Sequence, residues 1–552
     1  MKRSYIFYFV LLTFLIGCTE KFEDFNTDQK NPAEVAGNAL FSNGQKELAD
    51  QVNQTNVNQN IFKLWAQYWT ETTYTDEANY DIVTRNISDN LFRYYYREGA
   101  LQDINEAAKA IARETGLEAE ATKQNRLFII SIVKAYAYNQ LVDIFGMVPY
   151  TEALDVENVY PAYDDGAFIY NSLLDSLDAA INGLDEDAGS FGSADLFYGG
   201  DVAAWIKFAN ALKIKMGVTL GDVNPTLAQA TVESAVEGAF ESSADDCLMP
   251  YQSASPNQNP LFEEIVSTGR KDFVLANTLM DKLNDLQDPR LFLYANPSFM
   301  QNFNFQKDED VLFDTTVTEE SGGGKGRYLI FTTRDGESDS MVYKTTPFTL
   351  RPETDTLDAT VRHYAGGKYG FSAPFGQYAH IHPAILDPAF HGLMLTYTEV
   401  LFYLAEAAER GYTLPNSAEE YYNMGITNSI LEWGGTQAEV DAYLAQASVA
   451  YATAEGNWRQ KIGTQSWIAA YTKGLEAYAT WRRLDYPIFN VAQLIQHTSE
   501  IPTRFQFPIG EQTLNPDNYD AAATAVGGDL LTTPIFWDSY PATPNPNEVS
   551  EE

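Results

Sequence analysis

Leu395-Thr396-Tyr397-Thr398-Glu399-Val400-Leu401-Phe402-Tyr403-Leu404-Ala405-Glu406-Ala407-Ala408-Glu409-Arg410-Gly411 is the stretch that decides the fold class. Val400, Leu401, Leu404, Ala405 and Ala408 recur at the three- and four-residue spacing of one helix face, and Gly411 stops the pattern. Shortly afterwards Ser417-Ala418-Glu419-Glu420 has the hydroxyl-and-carboxylate arrangement that opens a helix, and Gly434-Gly435 closes it. The two stretches predict an antiparallel helical pair. Working upstream, the same period returns in Leu101, Ile104, Ala108 and Ile111, ended by Gly116. It returns again in Ile129, Val133, Tyr136, Gln140 and Ile144, ended by Gly146, and in Ile169, Leu173, Leu177, Ile181 and Leu184. A fourth stripe starts at the N-cap candidate Asp201 and runs through Trp205, Phe208 and Leu212. Downstream, a single further helix is expected from Trp467 to Trp481.

Helical pairs of this kind, with small residues on their faces, read as degenerate tetratricopeptide-like repeats, in which each pair exposes an apolar face until its neighbour covers it. The repeats keep no clean register, so periodicity alone supports a mostly α chain. Residues 245–390 break the helical pattern with Gly322-Gly323-Gly324, Gly366-Gly367, many prolines and short alternating pieces such as Tyr328-Leu329-Ile330-Phe331. No Gly/Ser-rich or charged linker divides the chain. The expectation is one α-rich domain over 38–539, a helical-pair scaffold with a long irregular, loop-rich insertion at about 245–390, and a Pro/Asn/Glu-rich tail over 540–552.

The N-terminus reads as a leader. Met1-Lys2-Arg3 is basic, and an apolar run from Tyr5 to Ile16 is too short to span a bilayer. Leu15-Ile16-Gly17-Cys18 resembles the lipobox of bacterial lipoproteins, which makes 1–17 the signal peptide, Cys18 the lipidated first residue of the mature chain and 18–37 a tether. Several acyl chains on one residue anchor a protein stably without a transmembrane helix. No later stretch reads as long and apolar enough to span. Thr19-Glu20-Lys21-Phe22-Glu23-Asp24 resembles the acidic surface-export signal of Bacteroidetes lipoproteins, which points to the outer face of the outer membrane.

The composition is that of an ordinary globular protein, 45% hydrophobic and 20% charged, and a net charge of −40 weighs against nucleic acid as a partner. Aromatic residues make up 13% of the chain (34 Tyr, 32 Phe, 8 Trp), many of them where the chain reads as loop. Aromatic faces stack on sugar rings and pack on peptide side chains, so this excess points to a binding surface. Cys247, flanked by Asp246 and Leu248, reads as a small buried residue and not as a reactive thiolate.

No motif for covalent chemistry stands out. Gly322-Gly323-Gly324-Lys325-Gly326 lacks the spacing of a phosphate loop, and neither a metalloprotease helix nor a serine elbow is present. His380 and His382 would share a face of an extended segment near His391 and His363, but no helix offers a partner pair, and hydrogen-bonding roles are expected. Glu353, Asp355 and Asp358 leave structural calcium as a lesser alternative; otherwise no metal or cofactor is expected. The candidate ligand contacts fall in two places. Trp69, Tyr74 and Tyr80 lie in the first, mixed with Glu71, Asp76 and Asn79, although the spacing of Trp65 and Trp69 favours a packed helix face for that pair. Arg327, Tyr328, Tyr364, Tyr369 and Phe375 lie in the second, interleaved with glycine.

Further short motifs occur in a fixed order. They are Phe25-Asn26-Thr27-Asp28 with Asn31-Pro32, Gly269-Arg270-Lys271-Asp272-Phe273-Val274, and Asp288-Pro289-Arg290-Leu291. The helix quoted above follows, then Tyr471-Thr472-Lys473-Gly474-Leu475, Trp481-Arg482-Arg483, Ile501-Pro502-Thr503-Arg504-Phe505 and Gly527-Gly528-Asp529. The ordered set resembles the SusD/RagB-like family of surface nutrient-binding lipoproteins. The resemblance implies a tetratricopeptide-like scaffold with an irregular ligand-binding face and no catalysis. It also implies capture of an oligosaccharide or peptide, and a TonB-dependent outer-membrane barrel of the SusC type as partner, over which the lipoprotein acts as a hinged lid. It implies scaffold roles for Arg290, Arg482 and Arg483. A surface hydrolase of the same polymer and a helical-repeat adaptor for proteins are the alternatives.

Overall fold

The structure, a computed structural model, describes residues 35–115, 120–296 and 365–538 apart from 493, 496 and 499, and the backbone of strand segments between 301 and 363. Cys18, the leader, most of the tether and the tail lie outside the described residues. Helices α1 (Gly37–Asn53), α2 (Ala100–Arg113), α3 (Glu120–Phe145), α4 (Gly166–Gly183), α5 (Val202–Thr219) and α6 (Pro225–Ala235) form the first half of the scaffold. Helices α7 (Tyr397–Glu409), α8 (Ala418–Glu432), α9 (Trp458–Ala469) and α10 (Gly474–Leu484) form the second. Consecutive helices pack in pairs, α1 on α2, α3 on α4, α5 on α6, α7 on α8 and α9 on α10, and α5, α7 and α9 carry the stacking from one pair to the next. The chain is mostly helical, on a tetratricopeptide-like plan.

Local chemistry accounts for the helix ends. The Ser417–Glu420 capping box is present, and equivalent boxes at Thr396–Glu399 and Thr436–Glu439 open two further helices. Asp201 accepts from the Ala204 amide (3.1 Å), and Gly146 ends α3 with φ +83°, a conformation glycine adopts without strain. Two expectations need correction. Helix α3 is in fact long and apolar enough to cross a membrane, but 78% of its apolar window is buried inside the fold. Packing on α2, α4 and α5 makes it a core helix, which composition cannot distinguish from a span. The helix expected from Trp467 to Trp481 is two helices. Thr472 takes φ +75°, and the chain turns there before Gly474 starts α10.

Gly474 sits against the one-turn helix Phe62–Trp65, and a Cβ added to it would lie 2.4 Å from the Phe62 carbonyl carbon and the Lys63 nitrogen. Backbone cannot yield as a side chain can. Gly474→Ala is therefore expected to lower stability by about 1–3 kcal/mol, read as a shift in the urea midpoint. An unchanged midpoint would show that this contact is loose.

Strands β1 (Trp69–Glu71), β2 (Cys247–Met249), β3 (Phe273–Leu275) and β4 (Gly392–Leu395) are short. β2 and β4 pair antiparallel, with Cys247 opposite Leu395, so the irregular region leaves and rejoins the scaffold at one place. Within it, Asp310–Thr318, Lys325–Thr333 and Met341–Thr345 form an antiparallel sheet, and Tyr328–Phe331 is strand as its alternation predicts.

Buried ion pairs tie the helices together. Lys215 of α5 meets Glu476 of α10 at 2.6 Å, Lys473 pairs with Glu399 of α7, and Arg483 of α10 meets Glu406 of α7 at 3.0 Å. Arg410 and Arg459 converge on Asp222 at 2.9 and 3.0 Å. A small internal cavity is lined by Gln51, Asn60, Tyr95, Lys215, Lys473 and Glu476, among others, and its charged groups are engaged in these pairs. Burial disfavours the charge on Glu476, but Lys215 and Lys473 outweigh it and hold the carboxyl down to about 2, against an ordinary 4.5. A depressed carboxyl stabilises the fold above its unfolded value and loses that contribution as pH falls. Stability should therefore drop between about pH 4.5 and pH 2. Urea midpoints taken across this window should change less steeply in Glu476→Gln; equal slopes would remove Glu476 as the source.

Candidate functional site

The residues at the first candidate position lie on a small β floor. Trp69, Thr70 and Glu71 pair with Leu275, Val274 and Phe273. The chain just beyond is held on two sides. The Thr72 amide donates to Asp272 O (2.9 Å) and its hydroxyl to Lys271 O (2.7 Å). From the other side Ser372 Oγ donates to Thr72 O (2.6 Å) and the Ala373 amide to Glu71 O (3.0 Å). Segments 71–72, 271–273 and 372–373, far apart in the chain, are thus neighbours.

Beyond Thr72 the chain rises into a loop with Tyr74, Tyr80 and Asn86 at φ +51°, +68° and +52°. Positive φ is costly for bulky residues and persists where the surroundings over-determine it. Here Asn79 Nδ2 donates to Thr75 O (2.7 Å) and Gly370 O (2.8 Å), and its Oδ1 accepts from the Leu494 amide (3.0 Å). Asp81 accepts from the amides of Val83 (2.9 Å) and Thr84 (3.0 Å). The outcome is a tyrosine side chain, Tyr74, left 79% exposed at the tip. A single exposed ring is common, but one lifted by a pinned, left-handed backbone is a built feature.

Phe375 lies just beyond Ala373 and is half-buried. Its ring stacks on His380, with centroids 3.7 Å apart and planes 27° apart, and Lys271 Nζ stands 5.5 Å from its centre. Tyr74, Phe375 and Lys271 therefore flank one floor. Two aromatic groups and an ammonium beside backbone edges suit a ligand with ring faces and hydroxyls.

The other candidates divide by burial. Trp69 and Tyr80 are fully buried and Tyr369 is 2% exposed, so the expectation that they meet ligand is corrected. Trp69 is a strand residue and not part of a helix face; its indole donates to Tyr471 Oη (3.2 Å) and its ring leans on Phe273. Tyr80 stands edge-on to Trp65, with centroids 6.0 Å apart. Tyr369 is enclosed where its amide reaches Asn277 Oδ1 (2.9 Å). Asn79, expected to be open to a ligand, is spent on Thr75, Gly370 and Leu494. Arg327 and Tyr328 lie on the strand Lys325–Thr333, but their side chains, like Tyr364, fall outside the described residues. Lys271 was not among the sequence candidates, because nothing local to it announces a ring from residue 375.

The histidines are engaged within the fold. His380 Nε2 lies 2.6 Å from Phe375 O, and His382 Nδ1 accepts from the Ala384 amide (3.1 Å). Among the described residues no group of three or more His, Cys, Asp or Glu is placed to hold a metal; Glu353, Asp355, Asp358 and His363 are not among those whose side chains are described. Cys247 is buried in β2, and burial pushes its thiol up, so it is not a nucleophile. Arg290 and Arg483 are internal ion-pair residues, and Arg482 is buried with a bond to Thr503 O (2.8 Å).

A helical-pair scaffold bearing an aromatic-edged surface on irregular segments defines a binding-protein class. The sequence profile of the SusD-like family, described as starch-binding and associating with the outer membrane, matches residues 29–309 and 345–508. The chain belongs to the SusD-like family. Among solved structures it is similar to a chitin-binding protein (25% identity, TM-score 0.69), over 92% of this chain and 100% of that one. A Bacteroidetes SusD-like protein is similar at 24% identity and TM-score 0.70, again over 92% and 100%. A chitin-binding SusD homologue from Flavobacterium johnsoniae shares the fold at 20% identity and TM-score 0.66, over 92% of this chain and 98% of that one. No curated protein sequence matches.

Proposed function

We propose that this chain is an outer-membrane surface lipoprotein that captures an oligosaccharide and delivers it to a TonB-dependent barrel of the SusC type. The observation that carries the reading is Tyr74, exposed on a pinned loop two residues from Thr72, which is bonded to the segments that carry Lys271 and Phe375. The family description and the chitin-binding neighbours favour a glycan over a peptide. Arg327, Tyr328 and Tyr364 are proposed as further contacts from the insertion. Binding proceeds by stacking, hydrogen bonds and closure over the barrel, with no covalent step. The proposed organisation is a signal peptide over 1–17, a lipid on Cys18, a tether to residue 37, one domain over 38–539 and a tail over 540–552.

A panel of maltooligosaccharides, chitooligosaccharides and peptides tests this reading by calorimetry. Saturable binding of a glycan is expected; binding of peptides alone would overturn the choice of ligand. The tether makes a separate claim. Cys18→Ala should abolish uptake by cells while leaving affinity in solution unaltered, and uptake that survives would rule out a lipid-anchored lid.

A further inference from the structure

Beneath Tyr74 lie two carboxyls that the exposed surface does not use. Glu71 is 3% exposed and Glu77 is fully buried. Glu71 stands at the base of the loop, where its main-chain oxygen takes the Ala373 amide (3.0 Å). Its Oε2 crosses to the far side of the loop and accepts from the Ala78 amide (3.0 Å). Glu77, next to Ala78, pairs with Arg85 through Oε1, and its main-chain oxygen accepts from Trp65 Nε1 (3.2 Å). Glu77 Oε2 is buried and takes no donor among the described residues, and the Glu71 and Glu77 side chains lie within hydrogen-bonding reach of each other.

Two enclosed carboxyls this close cannot both ionise when a single cation serves them. The charged and titratable groups that face the pair are Arg85 and Asp76 from the loop, Tyr80, and Tyr369 from the segment packed alongside. Strand β3 presents only Phe273, Val274 and Leu275 opposite β1. Among the described residues Arg85 is the one cation paired with these carboxyls, and a proton shared between Glu71 and Glu77 balances the rest.

We propose that Glu71 is a positioning residue for ligand binding: its carboxyl, bridging the Ala78 amide and the Glu77 carboxyl, closes the loop over residues 71–78 and fixes the height of Tyr74. This rests on the reading of Tyr74 as a ligand contact. The ring is so exposed that its placement comes from the backbone under it, and Glu71 is the side chain that joins the two ends of that backbone. Burial, and then the neighbouring Glu77, push the Glu71 carboxyl up to about 10. A raised carboxyl contributes its full stability below the ordinary value of 4.5 and has lost all of it once pH passes about 10, where the shared hydrogen bond itself breaks.

The test uses the mature lipoprotein in detergent, with a maltooligosaccharide and a chitooligosaccharide as probes and amide hydrogen exchange over residues 72–80 as a second readout. Glu71→Ala should weaken binding about tenfold and accelerate exchange at Ala78. Glu71→Gln keeps an acceptor for Ala78 and a donor for Glu77, so it should bind as the parent does at neutral pH. If Tyr74→Ala weakens binding while Glu71→Ala leaves it intact, the positioning role is overturned and the site stands. If Tyr74→Ala leaves binding unchanged, or neither probe binds, the site reading fails and exchange decides the loop: unchanged protection at Ala78 in Glu71→Ala overturns the inference.

Discussion

Arg290→Ala is expected to destabilise the protein by about 3–5 kcal/mol, the range for removing one partner of a buried pair. Arg290 and Asp288 have fully buried side chains 2.6 Å apart. The guanidinium uses Nε and Nη2 on the two Asp288 oxygens (2.9 and 2.6 Å), and also donates to Ser429 Oγ of α8 (3.1 Å) and Gln465 Oε1 of α9 (2.7 Å). It lies 5.7 Å from the centre of the Tyr443 ring. One side chain thus ties the irregular region to two scaffold helices. Alanine would leave Asp288 charged and enclosed without a cation, and would strand two further acceptors. Lysine cannot reproduce the planar fork, so Arg290→Lys should recover only part of the loss. Urea unfolding measures both; a loss below about 1 kcal/mol for Arg290→Ala would mean that water reaches the site and screens Asp288.

Tyr74→Ala is expected to weaken glycan binding about tenfold, equivalent to about 1.4 kcal/mol, while changing stability by less than about 0.5 kcal/mol. The ring is exposed, so its removal uncovers no core, and what is lost is the stacking face it offers. Tyr80→Ala provides the contrast. Tyr80 is fully buried against Trp65, and its truncation should cost about 3–5 kcal/mol of stability, as for other large buried rings. Affinity and unfolding measured on both variants separate contact from support. Unchanged affinity in Tyr74→Ala would remove the first candidate site.

Much of the scaffold was legible because its signals are local. The boxes at Thr396–Glu399 and Ser417–Glu420, the Asp201 cap and the Gly146 stop each act within one helical turn, and each does what its residues predict. The break between α9 and α10 was not legible. The only nearby mark is Gly474, two residues past Thr472, and an isolated glycine inside a helical pattern does not by itself end a helix; what that glycine meets is the backbone of Phe62 and Lys63. The site was legible only in outline. The segment at Ser372, next to Phe375, does meet the first cluster through Thr72, but a tyrosine in a loop reads the same whether it will be covered or bare.

The sequence by itself determined the helical scaffold, its order and its family, because periodicity, caps and short motifs are written in neighbouring residues. Tertiary structure alone decided which aromatics face solvent. Within the first cluster, Trp69 is covered by Tyr471 and Tyr80 by Trp65, while Tyr74 is left exposed. Burial depends on contacts between segments hundreds of residues apart, and no local pattern carries that information.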